Sequence, residues 1–120
     1  MPGVESRDFD RPDEVRSPEK TTVDVVTVGP TEVGRFTFQP GWTWSECIKP
    51  VVGTESCQQE HLGYAVSGHI HIAHEDGTET DIAPGEAYLI APGHDAWVVG
   101  DDPFVGIEFK STTAATYAKG

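Results

Sequence analysis

From Thr21 onward, apolar and polar positions alternate with a period of two, the period of β-strands. Val23 to Val28 is rich in β-branched residues and stops at Gly29-Pro30, a turn signal. Arg35 to Gln39 alternates cleanly, with Phe36 and Phe38 on one face. After Pro40-Gly41, the residues Trp42, Trp44, Glu46 and Ile48 share a parity, so an extended reading puts a carboxylate in line with two large aromatics. Lys49 to Thr54 contains a proline and a glycine and reads as a loop. His61 to Val66 is the next predicted strand, followed by His69 to His74, with Ile70 and Ile72 on one face and His69 and His71 on the other. Asp76-Gly77 predicts a hairpin turn from which Thr78 to Ile82 returns. Pro84-Gly85 and Pro92-Gly93 bracket a strand at Ala87 to Ala91, Ala96 to Val99 follows, and Asp101-Asp102-Pro103 turns into Phe104 to Phe109. About nine short strands and no amphipathic helix predict an all-β sandwich or small barrel.

The flanks differ from this pattern. Residues 1–20 carry mixed charge and three prolines, too little apolar content to offset ordering entropy, which predicts a flexible arm with Phe9 and Val15 as its possible docking points. The barrel then occupies 21–110, and 111–120 is a short tail.

Composition narrows the function. The chain has 120 residues, enough for one domain and one core. Its net charge is −12, and residues 21–120 contain only Arg35, Lys49, Lys110 and Lys119 as cations. Binding nucleic acid needs clustered Lys and Arg to neutralise phosphates, so that class is excluded, and anionic membranes with it. No stretch reaches the roughly 20 apolar residues of a membrane span, and the first residues lack a signal-peptide layout. The expectation is a cytoplasmic protein in which Cys47 and Cys57 are free thiols.

Nucleotide and hydrolase motifs are missing: no G-x-G-x-x-G, no phosphate loop, no G-x-S-x-G and no C-x2-C. What remains is a set of metal-competent side chains, His61, His69, His71, His74, His94, Cys57 and several carboxylates. Imidazole and thiolate suit Zn, Fe, Ni or Cu, while carboxylates suit harder ions. His69 and His71 alternate with isoleucines and are expected on the outer face, and His74 precedes a turn. Glu46, held against tryptophans, would have a raised pKa and could act as acid or base; it is otherwise an ion-pair partner for Arg35 or Lys49. Trp44 is a candidate substrate platform, or simple core packing.

Two segments resemble the paired motifs of the cupin superfamily. Glu55-Ser56-Cys57-Gln58-Gln59-Glu60-His61 through Tyr64-Ala65-Val66-Ser67-Gly68 resembles the first, and Pro84-Gly85-Glu86 through Pro92-Gly93-His94-Asp95-Ala96-Trp97 the second. Residues 33–109 match the layout as a whole, and Gly41 to Glu46 is similar to a Gly-Trp-x-Trp-Ser-Glu segment of small single-domain bacterial cupins. The resemblance implies a double-stranded β-helix (jelly-roll barrel), often a homodimer, holding a divalent metal (Fe, Zn, Ni or Mn) beside a small-molecule ligand. Carried over residue by residue, it places Glu55 and Cys57 at the two His positions of the usual H-x-H, and His61 at the Glu position. The usual final His falls on Ala96, while His94, on the same strand face, lies one rung lower.

Two readings follow. In one, Glu55, Cys57, His61 and His94 are a rearranged ligand set of a metal-dependent oxygenase, isomerase or lyase, with Glu46 as its catalytic group and Trp44 against the substrate. In the other, Cys57 is a small buried apolar residue, His61 is a hydrogen-bonded core imidazole, and the barrel is a metal-free binding or sensing module.

Overall fold

The computed structural model of the protein describes residues 3–109. Nine strands alternate with turns: β1 Glu14–Arg16, β2 Thr21–Val28, β3 Thr31–Phe38, β4 His61–Ser67, β5 His69–His74, β6 Glu79–Ile82, β7 Ala87–Ile90, β8 His94–Val99 and β9 Phe104–Glu108. They form a six-stranded sheet, ordered β1-β2-β3-β9-β4-β7, and a three-stranded sheet, β6-β5-β8. Every pairing is antiparallel. The expected tail at 111–120 lies outside the described residues.

The core sits between the two sheets. Val23, Val25, Phe36, Phe38, Ala65 and Phe104 of the larger sheet face Ile70, Ile72, Ile82, Ala96 and Val98 of the smaller, all buried. The alternation predicted for Phe36/Phe38 and Ile70/Ile72 is therefore the inward face of each sheet. Trp42 stacks on Phe38 with ring centroids 3.9 Å apart, and its indole N–H donates to Thr21 Oγ1 at 2.9 Å.

The Trp42–Ile48 segment departs from its predicted strand. It forms the one-turn helix α1, Trp44–Cys47, followed directly by α2, Lys49–Val52, where a loop was expected. Thr43 caps α1, its Oγ1 accepting from the Glu46 backbone N–H at 3.0 Å. Thr43-Trp44-Ser45-Glu46 is the Ser/Thr-x-x-Glu pattern of a helix start, a local signal that outweighs the parity of the tryptophans. The helical turn buries Trp44, Cys47 and Ile48 and leaves Ser45 and Glu46 exposed, so Glu46 is parted from the two aromatics it follows in sequence.

Residues 14–16, expected in a flexible arm, instead add the edge strand β1, with Val15 opposite Asp24. Charge fixes the arm. Arg35 reaches Asp24 at 3.0 Å and Asp10 at 3.1 Å, the Phe9 ring lies 5.5 Å from its guanidinium, and Asp13 accepts from the Thr27 N–H at 2.7 Å. Val15 docks through its backbone and leaves its side chain exposed, so of the two docking candidates Phe9 is the one that meets the barrel through its side chain.

Removing the α1 cap tests the local account. Thr43→Ala is expected to cost about 1 kcal/mol of stability, measured as a shift of the chemical denaturation midpoint.

Candidate metal centre

Backbone pairing brings three distant side chains to one end of the barrel. Cys57 lies in a bridge opposite His94, its N–H donating to the His94 carbonyl at 2.7 Å. His94 opens β8 and His61 opens β4. All three side chains are buried, and their ligand atoms lie within 4.8 Å of one another. Cys57 Sγ is 3.6 Å from His61 Nε2, and the two imidazoles meet edge to face at 5.1 Å.

Each imidazole is oriented by a partner behind it. His61 Nδ1–H donates to Glu108 Oε1 at 2.7 Å, and Tyr88 Oη–H donates to the other carboxylate oxygen at 2.9 Å. His94 Nδ1–H donates to the Ala91 carbonyl at 2.7 Å. Both rings therefore turn Nε2 towards the buried Cys57 sulfur. A hydrogen bond on one ring nitrogen that assigns the other to a ligand is the usual support of a metal-binding histidine.

Register explains why the supporting pair can form. In the larger sheet β4 lies between β9 and β7, and Gly63 is paired with Glu108 on one side and Tyr88 on the other. A Cβ on Gly63 would stand 2.8 Å from Tyr88 Oη, and one on Gly106 would stand 2.6 Å from it. The phenol occupies the hollow these two glycines leave and so reaches Glu108. Neither Glu108 nor Tyr88 was singled out from sequence, although Phe104, Gly106 and Glu108 share the inward parity of β9.

The other proposed site residues lie elsewhere, with one exception. Glu55 is exposed at the surface and pairs with Lys49 at 3.0 Å, because the chain turns inward only at Ser56, which is buried and whose Oγ is tied to Glu75 at 2.6 Å. Glu46 stands on the exposed side of α1. Trp44 does reach the interior: it lines a cavity of about 30 Å³ of water-accessible space together with His61, His94, Tyr88 and Glu108. Its buried indole N–H has no hydrogen-bond partner among the described residues. His69 and His71 lie on the outer side of β5 as expected, His71 stacked against Trp97 at 4.8 Å.

No family profile matches the sequence, and no curated protein matches it either. Solved structures do. KdgF from Halomonas sp. is similar over 90% of this chain and 92% of its own, with a TM-score of 0.59 at 17% identity. A sugar phosphate isomerase from a cupin superfamily of Silicibacter pomeroyi is similar over 88% of this chain and 74% of its own, with a TM-score of 0.61 at 14% identity. A cupin-like protein from Thermotoga maritima has a TM-score of 0.52 at 17% identity, over 76% of this chain and 68% of its own. The fold is that of the cupins.

Within this cupin barrel the three clustered groups share their charge. Burial pushes the Cys57 thiol up, but hydrogen bonds from His61 and His94, with their charges, overcome it and bring its pKa down to about 6. Burial likewise opposes charge on His61, yet Glu108 and Cys57 outweigh it and raise the imidazole to about 10. Burial, then the neighbouring carboxylate, pushes Tyr88 far up, so it remains a neutral donor. The depressed thiol contributes stability that is lost as pH falls through about 6, and the raised imidazole contributes stability that is lost as pH rises through about 10. Without metal, the thiolate–imidazolium pair spans the window between those limits.

One thiolate and two imidazoles, with ligand atoms gathered within 4.8 Å of one another, fit a divalent ion of the Zn, Fe or Ni type; a harder ion such as Mn is served better by carboxylates. The pairing itself is open to test in metal-free protein. His61→Ala is expected to move the Cys57 thiol from about 6 back towards the ordinary thiol range, followed by thiolate ultraviolet absorbance against pH in a Cys47→Ser background. A thiol pKa unmoved by the substitution would show that His61 does not set it.

Proposed function

We propose that the barrel holds one divalent metal ion on Cys57, His61 and His94 and works as a metal-dependent enzyme on a small organic molecule bound beside it. The observation that carries this is the orientation of the two histidines: both commit Nδ1 to a neighbour and leave Nε2 facing a buried thiol. Three protein ligands leave coordination positions open, as catalytic sites do. When bound, the ion would act as a Lewis acid or, if iron, support oxygenase chemistry; isomerase and lyase reactions fit the same arrangement.

The chain's own residues have distinct tasks in this reading. Glu108 and Tyr88 hold His61 in one tautomer and one orientation. The apolar wall, including Ile72, Ile82 and Ile90, excludes water and strengthens every charge interaction inside. The unpartnered Trp44 N–H supplies a donor for an acceptor atom of the bound molecule, which gives Trp44 the substrate-binding role and leaves Glu46 and Glu55 at the surface. A second reading, supported by the same apolar wall, is a metal-free binding or sensing pocket. We also propose a homodimer, for which Leu62, Tyr64 and Val66, exposed on β4, offer an apolar surface.

Elemental analysis of untagged protein is expected to find about one metal ion per chain, and Cys57→Ala combined with His61→Ala to abolish it. Tyr88→Phe, which keeps the ring and removes the support of Glu108, is expected to weaken metal binding by about tenfold or more. No metal taken up from Fe, Zn, Ni or Mn solutions would favour the metal-free pocket. Light scattering on the eluting protein, expected at twice the chain mass, decides the homodimer.

A further inference from the structure

Along the outside of the barrel, a second hollow of about 410 Å³ of water-accessible space runs between β6 and β7. These strands end the two sheets: β6 pairs only with β5, and β7 only with β4. No backbone ladder therefore closes this seam. Ile72, Ile82, Tyr88 and Ile90 line both this cleft and the inner cavity. Side chains alone stand between the cleft and the inner cavity that His61 and His94 line.

The rim is acidic, with three carboxylates beside one imidazole, His74. Asp76, Asp81 and Glu86 line the cleft with the hydroxyls of Thr78 and Thr80. Asp81 holds His71 Nδ1 at 2.6 Å, Asp76 holds His74 Nδ1 at 3.1 Å, and Glu86 Oε1 accepts from the Ala83 N–H at 2.7 Å. No lysine or arginine occurs anywhere between Lys49 and Lys110. A cleft with an excess of one sign of charge concentrates the opposite sign and repels its own.

We propose that the β6–β7 seam is the entrance to the Cys57–His61–His94 centre, gated by Ile82 and Ile90, and that its acidic rim admits cationic and neutral small molecules in preference to anions. This deepens the enzyme reading above, because it assigns that centre a substrate class: an uncharged or amine-bearing molecule rather than a carboxylate or phosphate. The inner cavity has room for about two waters, so only the reacting end of such a molecule enters it, and the remainder occupies the cleft.

Three methanethiosulfonates test the route in metal-free protein carrying Cys47→Ser: a trimethylammonium-ethyl, a methyl and a sulfonatoethyl reagent. In each, the Cys57 thiolate attacks the sulfenyl sulfur, an S–S bond forms, the sulfur–sulfonyl bond breaks and methanesulfinate leaves. The cationic reagent is expected to outpace the anionic one. Neutralising the rim with Asp81→Asn and Glu86→Gln should reduce that rate ratio by about tenfold, whereas Asp101→Asn with Asp102→Asn, the same change of net charge outside the cleft, should leave it. Thr80→Trp, which fills the seam, should slow all three reagents, and Ile82→Ala should speed them. Equal effects of rim and remote neutralisation would overturn the charge selection. Rates unmoved by both Thr80→Trp and Ile82→Ala would overturn the entrance itself. Metal content measured on the rim and Thr80 variants is expected at the wild-type level, so a wrong entrance and a missing metal site leave different records.

Discussion

A carboxylate and an imidazole buried together, 2.7 Å apart, are the constraint around which the interior of this barrel is arranged. Two such groups lose their hydration on burial, and their attraction offsets that loss only when the remaining hydrogen-bonding positions are filled. Here they are filled: Tyr88 takes the second oxygen of Glu108, and Cys57 faces the second nitrogen of His61. Gly63 and Gly106 follow from the same requirement, since either side chain would displace the phenol. Four residues on three adjacent strands and a loop thus depend on one ion pair.

That dependence ties fold to function. The order β9-β4-β7 is what sets Glu108 and Tyr88 on either side of Gly63. The bridge between Cys57 and His94 does the same for the thiol and the second imidazole, joining a loop to the smaller sheet. The centre lies where the two sheets are clipped together, so the elements that close the barrel also position its donors. The opposite closure, between β6 and β7, is left without a backbone ladder, and the interior is separated from solvent there by side chains alone.

Much of this was legible in the chain. Period-two alternation and Pro-Gly or Asp-Gly punctuation located the strands from β2 to β9, since most inward positions are apolar and the turns need special backbone geometry. The resemblance to the cupin motifs brought Cys57, His61 and His94 forward as partners, and the structure gathers them. Glu46 and Glu55 show where such reasoning stops. Parity placed Glu46 beside the tryptophans, but the Thr43 cap winds that segment into a helical turn. Motif spacing placed Glu55 among the donors, but the chain has not yet turned inward there and Lys49 holds the carboxylate outside.

Local chemistry by itself determined the strand faces, the turns, the acidic surface and the residue types able to bind a metal, because alternation, turn propensity and donor character are properties of short segments. Tertiary structure alone decided which donors converge and what supports them. Glu108 lies 47 residues from His61 in sequence, and its role depends on which strands become neighbours, on their register, and on the space two glycines leave for a tyrosine. Those are properties of the closed barrel, and no short segment of the chain carries them.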